Sequence, residues 1–153
     1  MSHKLDDIDR RLLRSLQKDS SDSIDVLSEK VGLSRNACWR RIKILEESGI
    51  IAKRVALVDP EKIDLGLSVI VLIKTREHET GWLERFDRAV RSMPEIMGAY
   101  RMAGELDYML KVRVSSVKDY DRFYQRLIDK VPLHDVSASF VMENIKETHE
   151  LPI

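Results

Sequence analysis

Arg35, Asn36, Trp39, Arg40 and Lys43 are the residues whose types and spacing point to chemistry, and that chemistry is recognition of an anionic surface carrying hydrogen-bonding edges. At 3.6 residues per turn they fall on one side of a helix. From there guanidinium, carboxamide and ammonium groups can donate to phosphate oxygens and to base edges in a major groove. Cys38, Ile42 and Leu45 fall on the other side, with Ala37 and Ile44 at its borders, so that side packs. Ser34 suits an N-cap and Gly49 a C-terminal stop, so both helix boundaries are written into the chain. Between 35 and 54, six basic residues (Arg35, Arg40, Arg41, Lys43, Lys53 and Arg54) stand against Glu46 and Glu47 alone, whereas the whole chain carries no net charge. Affinity for nucleic acid must therefore come from where the charges lie.

The neighbouring elements fit that task. Ile24, Leu27 and Val31 space out as a short amphipathic helix behind the Ser20–Ser23 turn, and Gly32-Leu33 separates it from Ser34. Helix, glycine turn and second helix make a helix-turn-helix, whose second helix enters the major groove. Leu5, Ile8, Leu12, Leu13 and Leu16 predict a supporting helix from 5 to about 18. The β-branched segment Ile50–Val58 predicts a strand or a wing, from which Lys53 and Arg54 would reach phosphate.

Asp59-Pro60 and Gly66 mark a boundary, giving a DNA-binding domain over 1–60 and a second domain over 61–153. In the second, 67–76 reads as a strand, and Trp82, Phe86, Ala89, Val90 and Met93 as a helix. Ile96–Ala103 and Leu106–Ser115 read as two strands, Val117, Tyr120, Phe123, Leu127 and Val131 as a helix, and Val136–Lys146 as a last strand. The fold class is α+β: a three-helix, winged-helix-like helix-turn-helix domain, then a ferredoxin-like βαββαβ domain with both helices on one face. Val69–Ile73 is apolar on both sides of its strand, yet the helices cover only one. A second copy is the simplest cover, which predicts an obligate dimer through residues 67 to about 146.

Composition sets the outer bounds. The 153 residues are 43% apolar and 34% charged, as in ordinary globular proteins. No charged leader precedes an apolar core, and the longest apolar run, Val69–Ile73, is far too short for a bilayer, so the expectation is a cytoplasmic protein without a membrane partner. A single cysteine rules out an internal disulfide and a multi-cysteine zinc site, and Cys38 reads as a structural thiol. His3, His78, His134 and His149 show no metal-ligand spacing, so no metal site and no cofactor is read. Neither a nucleophile and base pair nor a phosphate-cradling glycine loop stands out, which argues against an enzyme. On residues alone two alternatives stay open: a small-molecule-binding ferredoxin-like module, or a small enzyme, each without a DNA-binding role.

The run Leu27-Ser28-Glu29-Lys30-Val31-Gly32-Leu33-Ser34, then Cys38, Arg40-Arg41-Ile42-Lys43 and Leu45-Glu46 up to Gly49-Ile50-Ile51, resembles the helix-turn-helix of the Lrp/AsnC (leucine-responsive, feast/famine) transcription regulators. Leu5-Asp6-x-x-Asp9 with Leu12-Leu13 resembles the start of the same domain, and the similarity runs nearly end to end. It implies double-stranded DNA as partner and self-association into dimers and a higher assembly such as an octamer. It also implies an amino acid or related effector bound at a subunit interface. The residues it assigns to the effector are Gly104, Asp107 and Tyr108, with Ala103 where the family often has threonine, and Ser137 and Ser139 on the last strand. Read without the resemblance, Ala103–Tyr108 is a hairpin turn in which Gly104 takes a positive φ. A carboxylate such as Asp107 suits an ammonium group, and N–H groups near a glycine turn suit a carboxylate.

Overall fold

Each of the first three helices starts at a side-chain cap. In the computed structural model, which describes residues 3–75 and 80–153, the Asp9 N–H donates to Asp6 Oδ1 at 2.7 Å and the Asp6 N–H donates to Asp9 Oδ2 at 3.2 Å. This reciprocal box opens α1 (Asp7–Lys18). Ser23 accepts from the Val26 N–H to open α2 (Ile24–Val31), and Ser34 accepts from the Ala37 N–H to open α3 (Arg35–Glu47). Gly32 at φ +70° turns the chain between α2 and α3, and Gly49 at φ +74° ends α3. The three apolar stripes meet in one core of Leu12, Leu13, Leu27, Val31, Cys38, Ile42 and Leu45. A leucine buried this fully contributes about 1.5–3 kcal/mol.

Met1–Leu57 and Lys146–Ile153 together form one compact unit, and Val58–Ile145 a second. The end of the chain therefore returns to the first unit, a feature the expected division at 60/61 lacks. Gln17 clasps residue 151 with both ends of its amide: the Leu151 N–H donates to Oε1 at 2.7 Å, and Nε2 donates to the Leu151 carbonyl at 3.3 Å. Arg14 donates to the Ile153 main-chain oxygen at 3.0 Å, and the Ile153 side chain packs on the core. Of the strand or wing expected over Ile50–Val58, no strand forms. That segment has no regular secondary structure, no second strand pairs with it among the described residues, and Val55, Leu57 and Val58 are exposed.

The second unit opens with a single 3-10 turn at Glu61–Ile63, followed by β1 (Leu67–Lys74) and α4 (Thr80–Ser92). Then come β2 (Ile96–Arg101), β3 (Tyr108–Val114), α5 (Val117–Lys130) and β4 (Asp135–Phe140). The strands make one antiparallel sheet in the order β2-β3-β1-β4, so the predicted βαββαβ order holds. Position 76 of the predicted first strand and His78 lie outside the described residues. β4 ends at Phe140, well short of the expected Lys146.

Alternation along the strands sorts the two faces. Val69, Val71, Ile73, Tyr108, Leu110, Val112 and Val114 are buried on the helix side against Trp82, Phe86, Phe123 and Leu127. Trp82 stacks on Phe86, with ring centroids 5.1 Å apart, and its indole N–H donates to the Pro132 carbonyl at 2.9 Å. On the other side Ile70 lies opposite Lys111 and Ser139, and Leu72 opposite Met109 and Ser137, with no helix over them.

Candidate nucleic-acid interface

The capped start and glycine stop of α3 fix which side chains leave the core, because Cys38, Ile42 and Leu45 are anchored beneath it. Arg35, Asn36, Trp39, Arg40 and Lys43 all emerge on the exposed side, and Trp39 is 56% exposed despite its size. An indole so placed has an apolar face to lay on a sugar or a thymine methyl. Lys53 and Arg54 are exposed on the irregular segment that follows.

Several of these cations already touch carboxylates. Arg35 lies 3.5 Å from Asp25, Lys43 lies 3.4 Å from Glu46 Oε2, and Arg54 donates to Glu46 Oε1 at 3.0 Å. Arg40 and Lys53 have no carboxylate partner among the described residues.

Arg41 turns the opposite way, which the count of basic residues along the helix does not reveal. Its guanidinium donates to Asp6 Oδ2 at 2.7 Å and to Asp9 Oδ1 at 2.8 Å, and Asp9 is only 1% exposed. His3 Nε2 lies 3.0 Å from the other Asp9 oxygen. Hydrogen bonds to Asp6 and Asp9 raise the Arg41 pKa further. The Asp9 N–H, then Arg41, hold the Asp6 carboxyl below its ordinary value. The two capping acids of α1 thus clamp α3, and the sequence signal for it was the acidic capping pair itself. Cys38 is buried in the core, and desolvation raises its thiol pKa, so the thiol stays neutral there.

The hairpin between β2 and β3 is built from Met102–Asp107. Gly104 adopts φ +131°, as the turn required. The Asp107 carboxylate accepts from the Thr75 N–H at 2.7 Å, and the Asp107 N–H donates to the Ile73 carbonyl at 3.0 Å, so this aspartate ties the hairpin to the end of β1. Ala103 and Gly104 are exposed at the tip.

Of the other three residues assigned to an effector, Tyr108 follows Asp107 directly, whereas Ser137 and Ser139 do not join the hairpin within one chain. Tyr108 points inward, with its ring 4.6 Å from that of Phe86 and 5.8 Å from that of Trp82. Ser137 and Ser139 stand on the opposite, open face, in register with Leu72 and Ile70. β1 separates their strand from β3, the nearer hairpin strand, a gap of two strand spacings or about 10 Å. Sequence reasoning also missed a groove of about 700 Å³ between α4 and the edge strand β2. Phe86, Val90 and Tyr108 give it apolar lining, with Asp87, Arg88 and Arg101 as charged lining. No local motif marks it, because it arises only when the helix lies over the sheet edge. Among the described residues no cluster of His, Cys, Asp or Glu could hold a metal ion, and no helix is long and apolar enough to cross a membrane.

Two family models together match most of the chain. A winged helix-turn-helix DNA-binding model matches residues 5–52, and a model of the Lrp/AsnC ligand binding domain matches residues 68–151. The DNA-binding transcriptional activator DecR of Escherichia coli is 53% identical over 150 residues, which are 97% of this chain and 99% of DecR. The crystal structure of an AsnC family transcriptional regulator from Agrobacterium tumefaciens is 48% identical with a TM-score of 0.93, covering 97% of each chain. A Neisseria meningitidis transcriptional regulator solved as its L-methionine complex is 33% identical, also with a TM-score of 0.93 and 97% coverage of each chain.

Proposed function

Because the chain belongs to the Lrp/AsnC family of DNA-binding transcription regulators, which are not enzymes, we propose that it binds duplex DNA as a dimer or larger assembly in the cytoplasm. Its paired α3 helices read half-sites related by two-fold symmetry. Arg35, Asn36, Trp39, Arg40 and Lys43 meet base edges and the adjoining backbone, and Lys53 and Arg54 meet phosphate. One observation carries this assignment: the cationic side of α3 is exposed while Arg41 alone is turned inward as a clamp.

An amino acid modulates the binding. The L-methionine complex of the Neisseria relative supports that ligand class. The hairpin of Ala103, Gly104 and Asp107 offers a carboxylate and turn N–H groups to a zwitterion, and Tyr108 leads from it into the apolar groove. Ser137 and Ser139 reach such a ligand only from a neighbouring copy, which fits a site at a subunit interface. The ligand then shifts the balance between assemblies and so the operator affinity.

A gel shift with the upstream region of the protein's own gene tests the reading. Wild type retards it, and Arg40→Ala weakens binding by roughly 1–3 kcal/mol if Arg40 reads a base. Equal weakening on unrelated duplexes restricts Arg40 to the backbone. Failure of wild type on every duplex defeats the proposal.

A further inference from the structure

Lys43, Glu46 and Arg54 form a three-residue cluster beside the exposed face of α3. Glu46 uses both oxygens: Oε1 accepts from Arg54 Nη2 at 3.0 Å, and Oε2 lies 3.4 Å from Lys43 Nζ. Lys43 is one turn back on the same helix, whereas Arg54 comes from the segment beyond Gly49. A single carboxylate therefore joins one cation of α3 to one cation of the segment that follows it. Pairs this open to solvent contribute little to folding, so they exchange partners readily. Carboxylate and phosphate oxygens accept from the same cationic donors at similar distances.

We infer that Glu46 determines specificity. Its carboxylate occupies, in the DNA-free protein, the anion position between Lys43 and Arg54 that a backbone phosphate takes over on a correctly docked duplex. The inference rests on the DNA-binding reading of α3. Loose electrostatic contact with an arbitrary sequence does not seat the helix deeply enough to hand both cations over. Glu46 then stays in place, masks two positive charges and repels the backbone. On the proper site the phosphate displaces it and the cost is met by base contacts. Glu46 thereby weakens non-specific binding more than specific binding.

Glu46→Gln keeps the shape and removes the charge, and Glu47→Gln, one residue along and equal in net charge, is its control. Both are measured by fluorescence anisotropy against the protein's own upstream region and a scrambled duplex of the same length. Thermal melting verifies that each variant is folded. Glu46→Gln is expected to tighten binding to the scrambled duplex by roughly threefold to tenfold at low salt and to steepen the salt dependence of log K by about one unit. Affinity for the upstream region changes less, so the ratio between the duplexes narrows, and Glu47→Gln leaves the ratio alone. Unchanged or weaker binding of Glu46→Gln to the scrambled duplex overturns the inference, as does an equal effect from Glu47→Gln. A wild-type protein that binds neither duplex instead refutes the DNA-binding reading beneath it.

Discussion

Asp9 is the most constrained charge in the first unit. It is buried, yet it has Arg41, His3 and the Asp6 N–H around its two oxygens. Burying a carboxylate costs several kcal/mol unless donors replace water, and Arg41 is the only one of these donors with a fixed positive charge. Arg41→Ala leaves Asp9 with His3 and one N–H, so it is expected to lower unfolding free energy by about 1–3 kcal/mol in urea titrations. It should leave untouched the side chains α3 shows to solvent. The same cluster sets a pH dependence through Asp6. Its folded pKa lies below its unfolded value, held there first by the Asp9 N–H and then by Arg41. A depressed carboxyl contributes stability above the unfolded value near pH 3.9, and the contribution disappears as pH falls through the lower folded value. Wild type should therefore lose urea midpoint on acidification below about pH 4, and Asp6→Asn should show a shallower decline over that window.

At the scale of elements, the segment 146–153 has no secondary structure of its own and is held by side chains of α1. Gln17→Ala removes both hydrogen bonds to Leu151, each worth about 0.5–1.5 kcal/mol net. The Leu151 amide should then exchange with solvent faster while amides in the middle of α1 keep their protection, as hydrogen-exchange mass spectrometry or NMR would read. Unchanged exchange at Leu151 would mean that Ile153 packing alone holds the segment. This docking was not legible in the sequence, because Gln17 and Leu151 are far apart in the chain and neither residue type announces the other. The helix boundaries were legible for the opposite reason: Ser23, Ser34, Gly32 and Gly49 act within one turn of themselves. The order of the five elements from β1 to α5 followed from period alone. Ile50–Val58 misled because β-branched residues report a tolerance for extended backbone, whereas a strand also needs a partner to complete its ladder. For the hairpin, the positive φ of Gly104 could be read in advance. The inward turn of Tyr108 could also have been, since it begins the alternating run Tyr108, Leu110, Val112, Val114 that forms the buried side of β3.

The whole molecule is governed by the uncovered sheet face. Ile70 and Leu72 are half-buried in a single chain, flanked by Met109, Ser137 and Ser139, and both helices lie on the other side. A domain this small buries only a modest share of its chain's surface, so leaving apolar strand residues in water is costly in proportion. A second copy laid face to face would remove them from solvent, and two-fold symmetry would make the surface its own complement. Leu72→Asp places a carboxylate in the middle of that seam without disturbing Val71 or Ile73 on the buried side. Sedimentation should show wild type as a dimer or larger at micromolar concentration and Leu72→Asp as a monomer. The separation has a consequence for DNA. Two linked recognition helices gain by effective concentration what one cannot, commonly 10²–10⁴-fold. Leu72→Asp should therefore lose roughly a hundredfold or more on a two-half-site duplex, and little on a duplex carrying one half-site. Equal losses on both duplexes would show that the substitution damaged the helix-turn-helix, and a Leu72→Asp protein that still sediments as a dimer would move the subunit contact to another surface.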